Sequence, residues 1–182
     1  MPETYISVDV ESAGPIPGTY SLVALGACVV NRPQERFYAE LRPLNRAFLP
    51  DAMKVIGRSF AYFTRSGRDP AEAIEAFGAW VAAVSKGRPP VFVGFNAPFD
   101  WSFVNWYFHT YIGQNPFGVA ALDIKSYYMG LTGCSWRDTR SSRIPARLKG
   151  NAAHTHNALE DAIEQAEMFA RMRKSTRARK AR

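Results

Sequence analysis

Asp9 and Glu11 stand two residues apart in ISVDVES, where Ile6, Val8 and Val10 alternate with Ser7, Asp9 and Glu11. A period of two marks a strand and puts both carboxylates on one face, about 6.5–7 Å apart along the backbone. Carboxylates held that close repel each other. A divalent cation is the natural compensation, and hard Mg2+ or Mn2+ prefers oxygen ligands. A solvated acidic edge strand would explain the pair as well, so two further acids matter. Asp100 falls in the first turn of a helix after the strand-like PVFVGFN, and in open α/β sheets sites gather at the carboxyl ends of strands. Asp161 falls in another first turn, five residues after His156, whose imidazole suits proton transfer near neutral pH. Either acid alone also reads as a helix-dipole carboxylate.

The elements that must hold these residues follow from patterning. MPETYISVDVE enters a strand directly, which predicts no signal peptide. YSLVALGACVV and RFYAELRPL read as second and third strands parted by NRPQ, an antiparallel meander. Residues 43–69 read as irregular, with one short helix from Asp51 to Ile56 closed by Gly57. Asp69, Pro70 and Glu72 form a helix start with a capping box, followed by Ile74, Phe77, Val81 and Val84 at helical spacing and closed by Gly87. A strand at PVFVGFN, a helix opened by Pro98 and a strand at VAALDIK come next. Residues 131–155 read as a polar, basic loop, and Asn157 caps a last helix with Glu160 three residues on. Strands first, then alternating helices and strands, predict an α/β domain with a mixed sheet.

A length of 182 residues suits one domain. Apolar residues make up 47% of the chain, yet no apolar run approaches the roughly 18 residues of a membrane span. Cys28 and Cys134 lie far apart and read as reduced thiols of a cytoplasmic protein. The net charge of +7 is concentrated in residues 171–182, which hold seven Lys/Arg and no acid, while the remaining 16 basic residues balance 16 acidic ones. The expected organisation is therefore a domain over 1–170 and a basic tail over 171–182, either a solvated end or an anchor for nucleic acid.

With these elements in place, ISVDVES, GFNAPFD and HNALEDA resemble, in order, the three motifs of the DEDDh 3′→5′ exonucleases: acid-x-Glu, Asn then Phe-Asp, and His-x4-Asp. That family includes ribonuclease T, oligoribonuclease and the proofreading subunits of bacterial replicative polymerases. The resemblance runs from residue 9 to residue 161 and implies a ribonuclease H-like fold, a five-stranded mixed sheet with helices on both faces. It implies that Asp9, Glu11, Asp100 and Asp161 hold two divalent cations, Mg2+ or Mn2+, and that His156 is the general base. The expected partner is single-stranded nucleic acid with a free 3′ end, releasing nucleoside 5′-monophosphates, with RNA or short oligonucleotides slightly preferred. A homodimer is left open. A DNA proofreading subunit and a silent nucleic-acid-binding module on the same fold are the alternatives.

His154 rivals His156, but no acid stands five residues after it. His109 reads as an interior or interface histidine. The resemblance implies that backbone N–H groups at Ser12 and Ala13 approach the terminal nucleotide, and Asn96 is expected to buttress the site. Arg137, Arg140, Arg143, Arg147 and Lys149 crowd a loop in which Asp138 is the one acid. That loop is either a phosphate holder, with Arg143 and Arg147 its candidate contacts, or a solvated segment. Phe95, Phe99, Trp101, Trp106 and Tyr107 divide between base stacking and the apolar stripe that a packed helix needs.

Overall fold

A computed structural model of the chain describes residues 3–149 and 156–180. Five strands form one sheet in the order β3-β2-β1-β4-β5. β1 (Thr4–Ser12), β2 (Leu22–Val29) and β3 (Arg32–Glu40) are antiparallel, while β4 (Pro90–Gly94) and β5 (Ala121–Asp123) run parallel to β1. This is the mixed sheet expected from the sequence. Ile6, Val8 and Val10 pack with Phe77 of α3 (Pro70–Ser85) and Phe103 of α4 (Ala97–Tyr111). On the other face Cys28 and Val93 pack with α5 (Ile124–Thr132) and α7 (Ala158–Lys180). The odd-numbered positions of β1, Asp9 and Glu11 among them, face that second layer.

Gly26 of β2 lies opposite Asp9 in the ladder. A Cβ there would stand 2.2 Å from the Ala158 carbonyl carbon and the Leu159 nitrogen. The first turn of α7 thus rests on bare backbone, which brings that turn and its Asp161 toward Asp9 and Glu11. Gly26→Ala should lift the start of α7, costing about 1–3 kcal/mol of stability through overpacking. A displacement near 1 Å should also cost on the order of 10²-fold in the rate of any reaction that depends on these acids. Thermal unfolding and turnover of one preparation check this, and a parental rate would show that this contact does not position the site.

Several elements differ from expectation. Residues 43–69 contain α1 (Pro50–Ile56), closed by Gly57 at φ 71°, but also α2 (Phe60–Ser66). α2 starts where Ser59 Oγ accepts the Tyr62 N–H, and it buries only Phe63, too little to leave a periodic stripe. β5 is three residues long because Asp123 ends it and caps α5, accepting the Ser126 N–H at 2.9 Å. The segment read as a loop from 131 holds 3₁₀ turns at Trp136–Thr139 and Ser141–Arg143 and a short α6 (Ala146–Lys149).

The tail boundary also moves. α7 continues to Lys180, Met172 is fully buried, and the Arg173 guanidinium lies 4.1 Å from the centre of the Tyr5 ring. Residues 171–173 therefore belong to the packed domain. Both cysteines are free, as expected, and the Cys28 thiol donates to the Ala162 carbonyl at 3.6 Å. Among the described residues no helix is long and apolar enough to cross a membrane.

Candidate active site

The sheet opens where β4 ends. β1 pairs with β4 only as far as Ser7 opposite Val93, while its other edge follows β2 to Ser12. In the gap, the Val10 N–H donates to Asp100 Oδ1 at 3.0 Å, so a carboxylate stands where a strand would otherwise pair. Asp100 occupies the first turn of α4, where the helix N-terminus favours an anion. The corner between β4 and α4 is held by Asp123, whose Oδ1 accepts the N–H groups of Asn96 at 2.9 Å and Ala97 at 3.1 Å. Asn96 sits there at φ 69°, a left-handed conformation that asparagine tolerates better than most residues.

α7 supplies the rest. Asn157 caps it as expected, its Oδ1 accepting the Leu159 N–H at 3.1 Å and the Glu160 N–H at 3.3 Å. His156, just before the cap, is exposed and left-handed at φ 53°. Glu11, His156 and Asp161 each present one ligand atom within 4.8 Å of the others. Gln165, one helical turn beyond Asp161, donates from Nε2 to Asp9 Oδ1 at 2.6 Å and accepts the Phe95 N–H at 2.8 Å. One amide thereby ties α7, β1 and the end of β4 together. A cleft of about 280 Å³ collects Asp9, Glu11, Asn96, Phe95, Phe99, Asp100, Ser141, His156, Glu164 and Gln165 along its walls. A second cavity, of about 430 Å³, opens on the far side of Glu11 and His156 and is lined by Tyr38, Glu40 and Arg58.

Asp9, Glu11 and Asp100 resist ionisation together. Loss of water pushes the Asp9 carboxyl well above its ordinary range, and Asp100, Glu11 and Asp161 push it further against the Gln165 hydrogen bond. Glu11 is pushed up to about 8, first by burial and then by Asp161 and Asp100. Asp100 is pushed up to about 8 by burial, against the Val10 N–H, with Asp123 adding to the rise. A set of oxygen donors that repel one another fits a hard divalent cation.

That fit has a pH signature. Folded-state values raised above the unfolded ones mean stability that is complete below the ordinary carboxylate range of about 4 and lost as pH rises through about 8. In EDTA the melting temperature should fall between about pH 5 and pH 8.5, and Mg2+ or Mn2+ should raise it more at the alkaline end. A metal-induced rise equal at both ends would contradict the assignment.

The remaining expected residues divide. Asn96 lines the cleft. Ser12 is buried with its hydroxyl donating to the Gly14 carbonyl at 2.8 Å, and the Ala13 N–H is taken by the Ser21 carbonyl at 2.8 Å. The N–H of Ala13 thus has an internal partner rather than an open path to a nucleotide. Arg143 pairs with Asp138 at 2.8 Å, and Arg147 is exposed on α6 outside the residues that line the cleft. His154 lies outside the described residues, and His109 is exposed rather than interior.

Of the aromatics, Phe95 and Phe99 line the cleft. Tyr107 is fully buried, its hydroxyl accepting the Leu22 N–H, and Trp101 and Trp106 pack against the core. Gln165, Glu164 and Asp123 were missed. Gln165 lies four residues after Asp161 on the same helical face, a signal present in the sequence.

A ribonuclease H-like sheet whose β1, α4 and α7 bring four acids together defines a metal-dependent phosphodiester hydrolase. No family model matches the sequence. The chain is 51% identical over 168 residues to the 3′-5′ DNA exonuclease Cap18 of Escherichia coli, spanning 92% of this chain and 90% of that protein. Its fold is similar to the nuclease domain of 3′hExo, a DEDDh family member, bound to rAMP, at TM-score 0.74, 12% identity and coverage of 94% and 92% of the two chains. It is also similar to E. coli Exonuclease I in complex with a dA16 oligonucleotide, at TM-score 0.77 and 15% identity, covering 98% of this chain and 42% of that one. The chain belongs to the DEDDh family of 3′→5′ exonucleases.

Proposed function

We propose that the chain trims single-stranded DNA from the 3′ end, releasing nucleoside 5′-monophosphates, with Asp9, Glu11, Asp100 and Asp161 holding two divalent cations, Mg2+ or Mn2+. The observation that carries this reading is the meeting of Glu11, His156 and Asp161 within 4.8 Å beside the cleft that also contains Asp9 and Asp100. DNA takes the place of the slight leaning to RNA because the 51% identical relative is a DNA exonuclease. Bound there, the cations would offset the repulsion among the acids and supply positive charge to the attacking and departing oxygens.

The chain's own groups do the rest. Gln165 fixes the carboxylate of Asp9. His156, exposed at the rim with a ring nitrogen near the oxygens of Glu11 and Asp161, takes the proton of the attacking water. Phe95 and Phe99 form an apolar wall for the terminal nucleoside. Asp123 holds the Asn96 corner that borders it.

Incubation with 5′-labelled DNA and RNA strands of one sequence, with Mg2+, Mn2+ or EDTA, tests the reading. A ladder shortening from the 3′ end, faster on DNA and absent in EDTA, is the expected result. Comparable cleavage of a circular single strand would overturn it, and faster loss of RNA would reverse the sugar preference.

A further inference from the structure

Trp136 is 52% exposed, unusual for so large an apolar side chain. Its exposure is not looseness. The Trp136 carbonyl accepts the hydroxyl of Thr139, a residue with no exposed surface, at 2.7 Å. Asp138 accepts the Ser135 hydroxyl at 2.6 Å on one oxygen and Arg143 at 2.8 Å on the other. The turn from Ser135 to Arg143 is thus pinned at several points while the indole stays half exposed.

Lys125 covers the ring, its ammonium 4.3 Å from the ring centre, and also approaches Asn96 Oδ1 at 3.4 Å. Lys125 is the second residue of α5, at the end of a helix where a cation is disfavoured by the backbone dipole. Asn96 is a wall of the cleft, and Ser141, five residues after Trp136, is another. A fixed aromatic face and an ammonium therefore flank the cleft, on the β5–α5 side.

We propose that Lys125 and Trp136 form a strand-holding subsite beside the cleft, where the indole stacks on a base upstream of the nucleotide being removed and the ammonium pairs with a backbone phosphate. Stacking on an aromatic face is sequence-tolerant, because every base has a π-face, and a phosphate contact positions a strand without reading it. The subsite gives a role to part of the basic segment 137–149: Arg143 serves by bracing the turn through Asp138. It deepens the strand-trimming reading and rests on it.

The test compares Trp136→Ala, Trp136→Phe and Lys125→Met with the parent protein on an eight-residue deoxythymidine strand and on thymidine 5′-monophosphate p-nitrophenyl ester, which has no upstream base. Trp136→Ala should raise KM for the strand roughly 5- to 150-fold, the equivalent of about 1–3 kcal/mol per stacked base. That loss should exceed any loss on the ester at least fivefold. Trp136→Phe should restore most of the affinity, and Lys125→Met should flatten its dependence on salt.

Binding of the labelled strand in EDTA, read by anisotropy, is measured in parallel and needs no turnover. Equal affinity of parent and Trp136→Ala for the strand, or equal losses on strand and ester, would overturn the subsite. A parent that binds the strand through Trp136 but leaves it intact would instead count against the trimming reading alone.

Discussion

Asp9→Asn should lose at least about 10³-fold in turnover and yet, in EDTA, melt at a higher temperature than the parent. The loss follows from removing one carboxylate of a set whose cations supply several kcal/mol of charge stabilisation, at about 1.4 kcal/mol per tenfold in rate. The gain follows from the same geometry. The Asp9 carboxyl is held well above its ordinary range by burial and by Asp100, Glu11 and Asp161, so its ionised form weakens the metal-free fold. Asparagine keeps an oxygen for the Gln165 amide, now 2.6 Å from Asp9 Oδ1, and removes the charge. Function placed these acids together against stability, as active sites commonly do. Turnover and EDTA melting curves at pH 8 check both halves. A variant that keeps near-parental turnover would remove Asp9 from the metal site, and one that melts lower would show that the four acids are not in conflict.

What the sequence reveals and what it hides divide along a physical line. Asp9 and Glu11 were legible because a strand's period of two decides which side chains share a face, and this needs no distant information. Asp100 and Asp161 were legible as first-turn acids of helices with clear starts. Gln165 was hidden because a glutamine on a polar helical face is ordinary, and its meaning depends on Asp9, 156 residues away in the chain. Gly26 reads as a weak point in an apolar strand; only the approach of α7 to its backbone makes it necessary. The internal partner of the Ala13 N–H was hidden for a related reason. That N–H is spoken for by Ser21, a pairing set by the register shift between Glu11 and Ser12 that patterning does not encode. Charge counting misjudged the start of the tail, since Met172 sits among seven cations and is nonetheless buried.

His156→Ala should slow turnover about 10²–10⁴-fold, the usual worth of a general base, while keeping the metal-induced rise in melting temperature. The distinction matters because the His156 ring offers a nitrogen within 4.8 Å of the ligand atoms of Glu11 and Asp161, so distance alone admits a ligand as well as a base. Position favours the base. The residue is exposed, outside the buried layer that holds Asp161, and left-handed at φ 53° just before a helix fixed by Asn157. A ring held by the backbone at the rim can meet a water arriving from solvent. An exposed vacancy should also admit free imidazole, which is expected to restore part of the rate of His156→Ala in a concentration-dependent way. His154→Ala should cost far less. If His154→Ala were the crippled variant, the base would be misassigned; if His156→Ala lost the metal-induced rise in melting temperature and gained nothing from imidazole, His156 would be a ligand instead.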